Sequence, residues 1–528
     1  MRGRFVSKIG RGFAAALALL LFGFGILLVL AVDWSVDFFG EISIDEIIFH
    51  LKMPLQGTDQ NTILDFILRC LIPALAGMFV LACLWGLPRM EKRLRQKRMG
   101  QGRPYLELRI RAGGRKEIGR GVTLIPVIPA WTLWLIALAS LAGSLVYACY
   151  RYPVVEYIKL QSQNSTWIEE EYVEPDSSLL SFPEQKRNLI YIYLESMESA
   201  YTSTENGGAF QEDLIPELTE LAKENLHFSS GVGTLGGAVQ VENTGWTIAG
   251  MFAQTAGLSL KMPIDSNTMG EYSSFFPGVT SLGELLEAAG YKNYLMIGSD
   301  AVFGGRKNYF TQHGDYTIYD YYWALEEGKI PEDYFVFWGF EDWRLIEMAK
   351  EELLTIAEQE EPFNFTMLTV DTHFPDGYIC PLCREEHDSS YKNALSCSSR
   401  QIAAFVEWIS RQDFYEDTTI IIAGDHLTMA SEFVEEMPAG TERSTYHVII
   451  NSPVEAAKTE NRVFTTLDMF PTTLAALGVE IEGDRLALGT NLFSDRETLA
   501  EEYGIATMNQ ELSKKSEFYN KKLMYGSS

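Results

Sequence analysis

The chain has 528 residues, of which 71 are acidic and 43 basic, for a formal net charge of -28, while 47% are hydrophobic. That apolar fraction excludes an acidic disordered tail, which could not bury a core. Residues 1–150 hold 18 Lys/Arg against 10 Asp/Glu and residues 151–528 hold 25 against 61, so the acidic part repels nucleic acid and excludes it as a partner.

Three apolar blocks open the chain: Phe13 to Val32, Ile63 to Pro88 and Val122 to Tyr150. Each can cross a bilayer core of about 30 Å, which takes about 20 residues. They predict transmembrane helices near 13–32, 63–87 and 123–148, within a membrane anchor of residues 1–150. Arg2, Arg4, Lys8 and Arg11 before the first block also fit a cleavable signal peptide; the two later spans and the poor small-residue cleavage pattern favour an anchor. Twelve basic residues from Arg89 to Arg120 lie between the second and third blocks, whereas the first loop carries Asp33, Asp37, Glu41, Asp45, Glu46, Asp59 and Lys52. Positive charge marks the cytoplasmic side, which puts the chain beyond Tyr150 on the outer face of a bacterial cell (inner) membrane.

Residues 151–187 are polar and acidic, with Glu169, Glu170, Glu171, Glu174 and Asp176, and read as a juxtamembrane tether. Residues 188–528 form one large domain. Within it Leu189–Leu194, Tyr294–Ile297, Phe363–Val370 and Thr418–Ala423 are continuous apolar runs that predict buried strands of a mostly parallel sheet. Helical patterns over Ser281–Ala289, Trp343–Glu358 and Ser399–Arg411 fall between them, so the fold class is α/β with helices on both faces of the sheet.

Polar residues end each predicted strand: Glu195-Ser196, Gly298-Ser299-Asp300, Asp371-Thr372-His373 and Gly424-Asp425-His426. Ligands bind at the carboxyl ends of such strands. Glu195, Asp300, His373, Asp425 and His426 therefore converge on one edge, and carboxylates with imidazole suit a hard or borderline divalent metal. Singly, each also fits a helix cap or a satisfied core residue.

The glycine-rich stretch Gly231-Val-Gly-Thr-Leu-Gly-Gly-Ala-Val-Gln-Val-Glu-Asn-Thr244 enters an apolar helix over Trp246–Ala256. Thr244 fits an N-cap, and it also fits a nucleophile at a helix start, where amide groups and the dipole stabilise a phosphoryl group. Cys380, Cys383 and Cys397 cluster in the outer domain. They fit a disulfide, Cys383 with Cys397 first, or a zinc knuckle completed by His387. His447 follows a polar loop and reads as structural.

The runs Asn188-Leu-Ile-Tyr-Ile-Tyr-Leu-Glu-Ser-Met-Glu-Ser, Asn243-Thr-Gly-Trp-Thr-Ile-Ala-Gly-Met, Thr369-Val-Asp-Thr-His-Phe-Pro-Asp-Gly and Gly424-Asp-His-Leu-Thr-Met resemble the bacterial phosphoglycerol transferase I family. That family is similar to lipoteichoic acid synthases and falls within the alkaline phosphatase/sulfatase superfamily. The resemblance covers roughly residues 185 to 495 in the same order. It implies that Glu195, Thr244, Asp425 and His426 hold one divalent ion, Mn2+ first, with Mg2+ or Zn2+ as alternatives. It also implies that Thr244 is the nucleophile, and that Arg306 and His373 hold the donor's phosphate and glycerol. The donor implied is phosphatidylglycerol from the lipid bilayer, and the acceptor an extracytoplasmic glycan. Phosphoethanolamine transfer, simple phosphodiester hydrolysis and a non-enzymatic glycan-binding scaffold are the rival readings. The nucleophile motif of sulfatases, Cys-x-Pro-x-Arg, is not matched by Cys380-Pro-Leu-Cys-Arg in order or place.

Overall fold

The fold is that of a computed structural model describing residues 2–40, 42–52, 60–100, 129–262 and 275–527. It divides into two compact units, Met1–Asp37 with Gln60–Val154, and Phe38–Asp59 with Val155–Ser528.

The first unit is helical. Helix α1 spans Arg2–Phe39, its last residues belonging to the second unit, and α2 (Ile44–Lys52) lies wholly in the second. A helical stretch from Gln60 runs through a wide turn at Ile67–Leu71 into α3 (Ile72–Gly100), and α4 covers Ala130–Arg151. The segments Gly12–Phe39, Asn61–Met90 and Ala130–Arg151 are long and apolar enough to cross a membrane. Small residues let their backbones approach: a Cβ on Gly25 would sit 2.5 Å from Ser140 Oγ, and one on Gly77 2.8 Å from Ile26, as expected where apolar helices pack without a hydrophobic drive. Arg103, Arg109, Arg111, Arg115, Lys116 and Arg120 of the basic loop, and the start of the third predicted span, lie outside the described residues. The third helix begins after Pro129, which occupies its N-cap position.

The second unit is built on a six-stranded sheet. Its strands are β1 (Asn188–Leu194), β2 (Lys292–Ile297), β3 (Thr317–Tyr319), β4 (Phe363–Leu368), β5 (Thr418–Gly424) and β6 (His447–Ile450). Their order is β3-β2-β4-β1-β5-β6, parallel except for β6. Four central strands match the predicted runs; the short edges β3 and β6 were not predicted.

Alternate side chains of β1 feed two cores. Leu189, Tyr191 and Tyr193 join Phe252, Leu285, Tyr309 and Phe470, contributed by α7 (Thr247–Ala256), α8 (Leu282–Ala288), α9 (Arg306–Gln312) and α12 (Met469–Ala476). Ile190, Ile192 and Leu194 join Leu218, Leu345 and Phe405, from α6 (Pro216–Glu224), α10 (Asp342–Ala357) and α11 (Ser390–Ile409). The sheet is thus covered on both faces, the condition for a parallel sheet whose strands are apolar throughout.

The register sets the site. Tyr193 pairs with Leu368, Leu194 with Gly424 and Ile297 with Leu368, so four strands end at one level.

The expected tether is partly structured. Val154–Gln161 forms helix α5, and Trp167 and Ile168 are buried. Glu171 pairs with Arg485 at 3.1 Å and accepts from Tyr503 OH at 2.7 Å. Its apolar residues find a core and its acid a partner, which the net acidic composition concealed.

Candidate functional site

Glu195 leaves β1 where the backbone turns sharply: Ser196 has φ 54°, a left-handed conformation uncommon outside glycine. The turn is held from several strands. Glu195 N–H donates to Thr369 Oγ1 (3.0 Å), Thr372 Oγ1 donates to Glu195 O (2.6 Å), and Ser196 N–H donates to Asp425 Oδ1 (2.8 Å). Asp425 and His426 leave β5 at the same level, and His426 N–H also donates to Asp425 Oδ1 (2.8 Å).

One atom each from Glu195, Asp425 and His426 lies within 4.8 Å of the others, all three residues buried. His426 Nε2 is 3.3 Å from Glu195 Oε1 and 3.4 Å from Asp425 Oδ2. Its Nδ1 is 2.8 Å from Leu427 O; a carbonyl only accepts, so Nδ1 carries hydrogen and Nε2 faces the carboxylates. Asp425 Oδ2 is buried with no hydrogen bond. A buried, unpartnered carboxylate oxygen beside a second carboxylate and an imidazole fits a divalent cation.

The electrostatics agree. Burial raises the Asp425 carboxyl, and the Glu195 charge adds to this, to about 7. Burial would lower His426, but Asp425 and Glu195 outweigh it and lift the imidazole to about 10. Glu195 is raised by burial but more strongly lowered by His373 and His426, to about 2. Two carboxylates that draw positive charge onto the imidazole between them make a site suited to a cation.

Beside the cluster is a small pocket whose lining includes Glu195, Thr247, Ser299, Arg306, Trp338 and His373. Arg306, the first residue of α9, is buried. Its Nη2 donates to Ser299 Oγ (3.1 Å) and Asp300 O (2.9 Å), and its Nε to Phe303 O (3.1 Å). Nη1 has no hydrogen bond among the described residues and is left for a ligand. Burial lowers this guanidinium to about 10, opposed by Glu195, Asp300, Asp320 and Asp425, so it stays a cation at neutral pH. His373 Nδ1 is 2.8 Å from Phe374 O, which leaves Nε2 toward the pocket; burial lowers its pKa. Its ring packs on Trp338, centroids 4.8 Å apart.

A family profile described as Sulfatase matches residues 187–479. The chain belongs to the sulfatase family. Among curated relatives, phosphoglycerol transferase I of Escherichia coli is 35% identical over 305 residues, covering 56% of this chain and 37% of that one. Phosphoglycerol transferase I of Shigella flexneri is 33% identical over 374 residues, covering 68% of this chain and 45% of that one. The chain therefore spans less than half the length of these relatives. A crystal structure of an alkaline phosphatase superfamily protein from Vibrio parahaemolyticus superposes with a TM-score of 0.50 at 19% identity, covering 65% of this chain and 82% of that one. The α/β architecture of the second unit is that of the alkaline phosphatase/sulfatase fold.

In this sulfatase-family site Glu195, Asp425 and His426 come together, with Arg306 and His373 on the adjoining pocket wall. Asp300 does not join them: its Oδ1 accepts from Val302 N–H (2.8 Å) and shapes the turn before α9. Asp371 caps α10, its Oδ1 accepting from Asp342 N–H (3.2 Å). Thr244 is buried in a turn rather than at the helix cap, which is Trp246. Its Oγ1 donates to Val241 O (2.8 Å) and accepts from Val241 N–H (3.1 Å). Gln240 Oε1, close by in the chain, accepts from Leu427 N–H (2.8 Å), and the pocket lining includes Thr247 but not Thr244.

Sequence reasoning missed Thr247, whose Oγ1 donates to Glu195 Oε2 at 3.3 Å from the first position of α7. It also read Asp45 and Glu46 only as loop charge. Both are buried on α2: Asp45 Oδ2 accepts from Asn243 Nδ2 (3.4 Å), and Phe49 packs on Trp246. The signal available was α2's amphipathic pattern, with Ile44, Ile47, Ile48 and Phe49 between two predicted spans. His447 Nε2 accepts from Phe228 N–H (2.9 Å) and is structural. Cys380, Cys383 and Cys397 meet in the structure, their sulfurs within 4.8 Å of one another.

Proposed function

We propose that the protein is a membrane-anchored phosphoglycerol transferase that moves glycerol phosphate from phosphatidylglycerol to a hydroxyl of an extracytoplasmic glycan, through a glycerophosphoryl-threonine on Thr244. The observation that carries this reading is the buried Glu195–Asp425–His426 cluster joined to a pocket holding a cationic Arg306. Such a pocket suits a phosphodiester, and the curated relatives named above are phosphoglycerol transferases. With the basic residues after the second helix in the cytoplasm, the second unit faces outward, beside its lipid donor.

Arg306 Nη1 binds a non-bridging phosphate oxygen of the donor, and Trp338 lines the same pocket. Thr244 Oγ attacks phosphorus; the bond to the diacylglycerol oxygen breaks, and the proton that the threonine gives up goes to that leaving oxygen, so that diacylglycerol departs as the free alcohol. The Val241 N–H that already donates to Thr244 Oγ1 stabilises that oxygen as it loses its own proton. In the second step the acceptor hydroxyl attacks phosphorus while His373 Nε2 takes its proton, and Thr244 leaves and is reprotonated. A divalent ion, Mn2+ by expectation, held by Glu195, Asp425, His426 and Thr244, would supply charge neutralisation and lower the pKa of the threonine hydroxyl.

A second reading makes Thr247 the nucleophile, because its hydroxyl is hydrogen-bonded to Glu195. Phosphatidylglycerol labelled in its head-group glycerol tests the reaction. We expect Mn2+-dependent release of unlabelled diacylglycerol and label on an added glycan. Label released only as free glycerol phosphate would mean hydrolysis, and transfer from phosphatidylethanolamine instead would reassign the donor.

A further inference from the structure

Between β4 and α11 the chain forms a long loop that carries His373 and then Cys380-Pro-Leu-Cys383; Cys397 faces it from α11. Cys380 Sγ is 3.6 Å from Cys383 Sγ and 3.8 Å from Cys397 Sγ, and the three sulfurs lie within 4.8 Å of one another. Zinc–thiolate bonds of about 2.3 Å in tetrahedral geometry set sulfur atoms about 3.8 Å apart. The Cys380–Cys383 and Cys380–Cys397 separations match that edge. A disulfide would join two sulfurs at about 2.05 Å and strand the third.

A hydrogen-bond donor faces two of the three sulfurs. Cys383 N–H donates to Cys380 O (3.0 Å), closing the Cys-x-x-Cys turn. Gln401 Nε2 lies 3.4 Å from Cys397 Sγ and 3.8 Å from Cys380 Sγ. Such donors stabilise a charged sulfur, the form that binds metal. His387 is turned away, its Nε2 2.8 Å from Ser396 Oγ. The remaining protein donor is the Gln401 carboxamide, whose oxygen is buried without a partner.

We propose that Cys380, Cys383 and Cys397 form a second, sulfur-lined metal site that takes zinc or a similarly soft divalent ion and braces the loop carrying His373. It is distinct from the oxygen- and nitrogen-lined Glu195 cluster, which suits a harder ion. The loop between the two is tightly connected: Gly377 N–H donates to His373 O (3.1 Å), Tyr378 N–H to Asp371 O (2.7 Å), and Tyr378 stacks on Phe337 at 5.7 Å. Tying Cys380 and Cys383 to Cys397 fixes that segment against α11.

The test uses the reduced full-length chain in detergent, titrated with Co2+. Thiolate ligands give a near-ultraviolet charge-transfer absorption that carboxylate and imidazole ligands do not. We expect this band in the native chain and in Asp425→Asn, its displacement by one equivalent of Zn2+, and its loss in Cys380→Ser. No band from a chain whose three thiols still titrate as free would overturn the proposal. So would an intact mass lighter by two hydrogens in protein purified without reductant, with the new bond mapped to two of these cysteines.

Discussion

Gly250 in α7 packs directly against the strand end that bears the cluster. A Cβ there would lie 2.0 Å from Asp425 O and 2.8 Å from its carbonyl carbon, whereas ordinary contact begins at 3.4 Å. In Gly250→Ala, α7 and the Asp425 backbone must therefore separate by about 1.4 Å. The same movement stretches the bonds from Gln254 Nε2 to Gly424 O (3.0 Å) and Asp425 O (3.4 Å). Overpacking of this kind costs about 1–3 kcal/mol, a fall of a few degrees in unfolding midpoint for a domain of this size. The effect on rate is larger, because a displacement of about 1 Å at a catalytic group costs about 100-fold. Diacylglycerol release from phosphatidylglycerol micelles measures the rate, and thermal unfolding with and without Mn2+ measures stability and metal response. Wild-type turnover together with a wild-type midpoint would refute the close packing of α7 on Asp425.

Arg306→Lys keeps charge but loses the planar fork that spans Ser299 Oγ, Asp300 O and the ligand; we expect turnover to fall by about 100- to 1,000-fold, measured by the same release assay. Burial holds Glu46 at about 8 against 4.5 unfolded, partly offset by His426. The folded chain then binds that proton more tightly, so the stability it contributes is full below pH 4.5 and is lost as pH rises through about 8. Glu46→Gln should accordingly melt higher than the native chain at pH 8–9 and match it near pH 4.5, by calorimetry. Excess chelator should abolish turnover and lower the unfolding midpoint, with Mn2+ restoring both; a midpoint indifferent to chelator and Mn2+ would count against the Glu195 cluster as a metal site.

The legible parts of the fold were those where burial is total. β1, β4 and β5 are buried on both faces and read as unbroken apolar runs, and the polar residues ending them located Glu195, His373, Asp425 and His426. The edges were not legible. β3 is three residues long and half-exposed, and β6 pairs antiparallel through His447, which broke the apolar pattern. Helix α11 begins at Ser390 rather than Ser399, because Ser-Tyr-Lys-Asn-Ala-Leu-Ser-Cys-Ser-Ser has poor helix formers whose buried faces contact the rest of the unit, and packing outweighs propensity. Asp300 and Asp371 shared the strand-end pattern but serve turns and caps, a distinction set by which neighbouring amide reaches each carboxylate. Thr247 was hidden by adjacency: three residues from Thr244, it faces Glu195 only because α7 starts where it does. The convergence of Asp45 and Glu46 on Asn243 and His426 joins positions about 200 and 380 residues apart, and no local pattern encodes that.

The central claim is a covalent glycerophosphoryl-threonine at Thr244. Its most direct test is peptide mass spectrometry of the full-length chain quenched during turnover with phosphatidylglycerol and Mn2+, with fragment ions that separate Thr244 from Thr247. The account predicts a glycerophosphoryl adduct on Thr244, absent in Thr244→Ala, with diacylglycerol released in equal amount. An adduct on Thr247, or diacylglycerol release that persists in Thr244→Ala, would contradict it.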